Sequence, residues 1–82
     1  MNAEATSVAE LAAAWELLWI RARRDELSIE QCFAGTENIV CLCDVALSHA
    51  TTQETRALIE ERRQTALELL AAFQALLDKK GY

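Results

Sequence analysis

The sequence predicts an all-α fold, a small bundle of three main helices and a short helical connector. Three observations carry that expectation. Proline is absent and glycine occurs only at Gly35 and Gly81, so little in the chain interrupts a helix. The commonest residues are strong helix formers, alanine, leucine and glutamate first among them. Apolar positions recur at steps of three and four through long segments, the signature of helical faces. At 82 residues, 52% hydrophobic and 26% charged, the chain fits one globular domain spanning 1–82. Residues 1–5 lie before the first capping signal and are expected to be disordered.

The first helix is expected over about 7–26. Ser7 followed by Glu10 has capping-box spacing. Val8, Leu11, Ala12, Trp15, Leu18, Trp19 and Ala22 then form one continuous face. Arg21, Arg23 and Arg24 fall in the last turns, where cations suit the helix dipole. A break is expected between Asp25 and Ser28, because Ser28 with Gln31 forms a second capping box. An unbroken helix from Ser7 to Phe33 is the competing reading. The connector, 29–34, is expected to stop at Gly35 as a C-terminal cap.

Thr36 then caps a helix over 37–49, with Glu37, Cys41, Asp44 and Ser48 as a thin polar stripe. The rest of that segment is apolar, so it should be the central helix. Its run IVCLCDV also has strand character, but no second strand signal exists to pair with it. The last helix, 52–79, begins at Thr51 or Thr52 and stops at Lys79, Lys80 and Gly81. Its row Ile59, Ala66, Phe73 and the neighbouring row Arg62, Leu69, Leu76 form a seam. Trp15, Leu18, Trp19 and Phe73 are the expected core anchors.

Charge and chemistry narrow the function. Thirteen acidic and eight basic residues leave a net charge of −5, which disfavours a phosphate backbone as partner. The opening MNAEATS lacks the basic and apolar regions of a secretory leader. No apolar run approaches the roughly 20 residues of a membrane span, so a cytoplasmic protein is expected. Cys32, Cys41, Cys43 and His49 are residue types that bind zinc. On one helix, however, Cys41 and Cys43 point about 200° apart. Cys41 and His49 are also separated by about 12 Å along the axis. No metal or cofactor is therefore expected. The same spacing denies a Cys–His nucleophile pair, and no phosphate-binding loop is present, so the chain should not be an enzyme.

The outline LSIEQCFAGTENIVCLC resembles the helix–turn–helix layout of some DNA-binding proteins. Its second helix has no lysine or arginine and is mainly apolar, which places it inside the fold and not in a groove. A nucleic-acid-binding regulator is therefore the secondary expectation.

The stretch AWELLWI, residues 14–20, points elsewhere. With Trp15 at zero on a helical wheel, Ala13, Leu17 and Ile20 fall at about 140° to 200°, opposite the core stripe. A three-helix chain covers its first helix on one side only. Ala13, Leu17 and Ile20, with Arg21 and Arg24 alongside, are thus the expected interface of a homodimer or of another protein. The expected function is a non-catalytic protein–protein interaction module, an adaptor, co-chaperone or inhibitor of a larger protein.

Overall fold

In a computed structural model, residues 2–80 are described and form three helices: α1 (Ala3–Arg23), α2 (Ile29–His49) and α3 (Gln53–Lys79). No strand occurs among the described residues. The all-α bundle expected from composition and periodicity is the observed fold, with four local corrections.

The first concerns the start of α1. Asn2, and not Ser7, is the N-cap, its side chain accepting from the Glu4 backbone N–H. The segment expected to be disordered supplies this cap and the first turn; Met1 lies outside the described residues. Glu4 explains the early start. Its carboxylate accepts hydrogen bonds from the Thr51 backbone N–H and hydroxyl, tying the beginning of α1 to the α2–α3 joint. Ser7 is instead a small, buried side chain within α1.

The second correction concerns the α1–α2 turn. The break falls where the capping box places it: the Ser28 hydroxyl accepts from Gln31 N–H at 3.1 Å, and the Gln31 side chain accepts from Ser28 N–H at 2.8 Å. Yet α1 ends at Arg23, three residues before the expected end. Asp25 takes the left-handed conformation, φ 57°, an arrangement that short polar side chains tolerate.

Third, Gly35 ends nothing. The expected connector 29–34 and helix 37–49 are one continuous helix, α2. Gly35 sits where α1 crosses it, and a Cβ there would lie 2.9 Å from Leu18 Cδ1. It is a close-approach glycine. Thr36, the expected cap, is buried and donates to the Cys32 carbonyl at 2.7 Å, one turn back. Thr52 does cap α3, accepting from Thr55 N–H.

The fourth correction concerns coverage. Helix α2 is central, packing against both neighbours, but its buried stripe is narrow: Cys32, Thr36, Ile39, Cys43 and Ala46. On a wheel these five lie within about 40° of Cys32. Val45 and Cys41 face outward, and Val40, Leu42 and Leu47 are half-buried. The core joins that stripe to Leu11 of α1 and to Ile59 and Ala66 of α3.

The backbones of α1 and α3 do not come together. The molecule measures 46 × 21 × 14 Å with a radius of gyration of 13.8 Å, against about 12 Å for a compact domain of this length. It exposes 5536 Å², where a compact monomer of 9.2 kDa exposes about 4,900 Å². The bundle is a flattened slab, open along one side.

Candidate functional site

The open side is a trough between α1 and α3, floored by α2. Both walls run in the same direction, each being antiparallel to α2. Midway along it Trp15 reaches across from α1, and the Arg62 guanidinium lies 5.4 Å from its ring centroid. That is cation–π distance. Trp19 packs edge-on against Trp15, centroids 6.2 Å apart and planes at 61°. The bridge divides the trough. On one side is a depression of about 120 Å³ bounded by Val8, Ala12, Leu58 and Arg62. On the other is a small apolar crevice of about 30 Å³ between Trp19, Ala22, Leu69 and Phe73.

Indole rings keep these walls apart. The two tryptophans fill the width that small residues would have let the helices close. Their filling is incomplete: Trp19 remains 41% exposed and Leu58 53%. Leu76 continues the exposed apolar row along α3, one heptad-like step beyond Leu69. Of the expected core anchors, Trp15 and Leu18 do pack against the core, and Phe73 is half-buried. Trp19 is not a core residue. It lies on the trough wall, because the buried centre of α1 is the Ser7–Leu11 side, rotated away from it.

The residues expected to form an interface lie on the other side of α1. Leu17 is 55% exposed, and Ala13, Arg21 and Arg24 are exposed; Ile20 is half-buried. Leu17 and Arg21 border a groove of about 330 Å³ between α1 and α2, above the Gly35 crossing. Its bed is apolar, with Leu18, Leu27 and Ala34, and Gln31 and Asn38 stand at its far edge. Ala13, Ile20 and Arg24 do not border it. Sequence periodicity located Leu17 and Arg21 but not the groove, since its far wall comes from α2. The trough escaped that reading as well; the apolar surplus on both Trp19 and Leu58 was its only signal.

Some of the charged groups are engaged locally. Arg63 Nε donates to Asp44 Oδ1 at 2.8 Å, locking α3 to α2. Lys80 lies 3.6 Å from Glu30, and Arg21 lies 3.8 Å from Glu26. The Glu30 carboxyl is held below its ordinary value by a hydrogen bond from its own backbone N–H at the start of α2 and by Lys80. Burial, reinforced by the neighbouring Asp44, pushes the Cys43 thiol up. Cys32 and Cys43 are buried and Cys41 is exposed. Among the described residues, no three His, Cys, Asp or Glu side chains gather where a metal ion could be held. Nor is any described helix long and apolar enough to cross a membrane.

Fold and surface together define a small all-α bundle with two exposed apolar faces on its first helix. No known protein family, curated protein or solved structure matches this chain.

Proposed function

We propose that this protein is a non-catalytic protein–protein interaction module that forms a homodimer and presents a second surface to a larger protein. The observation that carries the reading is the trough between α1 and α3, apolar along its length and left open by the fold. Exposed leucines occurring singly are ordinary on any surface. Here Trp19 and Leu58 stand in the trough on either side of the Trp15–Arg62 bridge, and Leu76 extends the same exposed row of α3 beyond it, which is the pattern of association sites. Tryptophan and arginine at its midpoint are the residue types that anchor binding hot spots.

The Leu17–Arg21 groove lies on the α1–α2 side. A protein that pairs through one face and engages a partner through the other acts as an adaptor, or as an inhibitor occupying an apolar site on a larger assembly. The fit is apolar first, with Arg21, Gln31 and Asn38 supplying direction.

Two variants test this division. Trp19→Glu/Leu58→Glu should convert the protein to monomer as judged by light scattering at micromolar concentration, with helix content unchanged. Leu17→Glu/Ile20→Glu should leave the dimer intact and abolish capture of the partner in a pull-down. A wild-type mass of 9.2 kDa would remove self-association. Identical pull-downs from the wild type and the Leu17→Glu/Ile20→Glu variant would remove the second face.

A further inference from the structure

We propose that two copies pair antiparallel across the α1–α3 trough, about a two-fold axis that runs between them at the level of Ala66. This rests on the self-association proposed above and adds to it the pairing face, the orientation and the residues that set it.

The area fits a second copy. The chain exposes about 600 Å² more than a compact monomer of its mass. A standard interface removes about 800 Å² per partner, so most of that surface could be supplied by closing the trough. An isologous antiparallel pairing also gives each exposed row a matching one: the Trp19 wall of one copy meets the Trp19 wall of the other, and Leu58 comes about level with Leu76 of the second copy.

Charge chooses the orientation. Besides Arg62, the exposed charges beside the trough on a helical wheel are Glu16 and Arg23 on α1, and Glu54, Glu61, Glu68 and Lys79 on α3. Acidic groups occupy the end where α3 begins and the middle; basic groups occupy the end where it stops. Glu54 and Lys79 lie about 18 and 20 Å from Ala66 in opposite directions along α3. An antiparallel copy therefore brings Glu54 level with Lys79 of the second copy. The Trp15–Arg62 contact sets the register of α1 against α3. Arg23, eight residues past Trp15, is thus level with about Leu70, and the two-fold axis carries it to the level of Glu16 and Glu61 of the second copy. These pairings join opposite charges, against one like-charged approach, Glu68 toward Glu61 of the second copy. A parallel pairing lays α3 over α1 of the second copy, which brings Glu16 level with Glu61 and leaves Glu54 and Lys79 without an opposite charge on that helix. Rim charges supply little affinity, but they decide between orientations that bury the same apolar rows.

Dipolar spectroscopy on a spin-labelled chain reads this directly. The label is placed by Gln53→Cys, at the exposed start of α3 and outside the charge pairs. Cys41→Ser removes the exposed native thiol, leaving Cys32 and Cys43 buried. Antiparallel pairing predicts a label–label distance of about 40 Å, abolished by adding Trp19→Glu/Leu58→Glu and retained on adding Leu17→Glu. A distance under about 20 Å would overturn the orientation while leaving self-association standing. Loss of the signal with Leu17→Glu, and not with the trough variant, would overturn the choice of face. No dipolar signal from a chain sedimenting at 9.2 kDa would overturn the self-association on which the inference depends.

Discussion

The α2–α3 seam and the α1–α3 trough are built from neighbouring stripes of the same α3 helix, and they differ in the size of what fills them. At the seam Ile39, Cys43, Ala46, Ile59 and Ala66 are at most 1% exposed. Small alanines and a thiol let two backbones approach around the isoleucines, and close packing follows. Across the trough two indoles and a guanidinium span a wider gap, which they cannot seal. Side-chain volume thus decides which pair of helices closes. The sealed stripe holds the fold together, and the unsealed one stays open as the surface we propose for association.

The contrast predicts a graded set of stability changes. The largest belongs to the seam: Ile59→Ala should cost about 3 kcal/mol in denaturant unfolding, enough to leave so small a domain barely folded. If the loss is under 1 kcal/mol, the seam is not the core. Trp15→Ala should cost about 2 kcal/mol, combining partial burial with the lost Arg62 contact. Because the trough is already open, no closed cavity adds to that figure. A cost above that of Ile59→Ala would reverse the proposed order of the two regions.

Smaller effects come from the rims. Asp44→Ala breaks the exposed pair with Arg63 and should cost about 0.5 kcal/mol, diminishing in high salt. Gly35→Ala should change stability by less than about 0.5 kcal/mol. Its helix-propensity gain of about 1 kcal/mol is offset by displacing Leu18 Cδ1, a flexible atom with the neighbouring groove to move into. Gly35→Leu, too large for that adjustment, should destabilise by about 2 kcal/mol.

The pH dependence has two limbs of known sign. Glu30 has a lowered carboxyl pKa in the fold, so its contribution is present above the ordinary value of 4.5 and lost as pH falls through the folded value. Cys43 has a raised pKa, so its contribution is present below the ordinary 9.0 and lost as pH rises through the folded value. Thermal melts across both ranges should show stability falling at each end. A thiol titration of native protein should find Cys41 fast and the other two cysteines slow.

What sequence could show divides along local and tertiary lines. The Ser28–Gln31 box and the Thr52 cap are closed by residues three apart, and both were legible. Glu4 is held by Thr51, forty-seven residues away, so the true start of α1 was not. Gly35 was misread because a terminating glycine and a close-approach glycine look alike until a crossing helix is placed beside it. The stripe on α1 was legible but its centre was not. Only α2 packs closely on α1, which buries Ser7 and Leu11 on that side and leaves Trp19, turned toward the more distant α3, at the edge. Leu17 was rightly read as facing away from the core; the α2 wall that makes its surroundings a groove lay beyond the reach of periodicity.

The central claim, that the open trough is an association surface, is tested most directly by sedimentation equilibrium at micromolar concentration on wild type and the Trp19→Glu/Leu58→Glu variant. The account predicts twice 9.2 kDa for the wild type and 9.2 kDa for the variant, both fully helical. A wild-type protein that remains at 9.2 kDa, or a variant that stays dimeric, would contradict it.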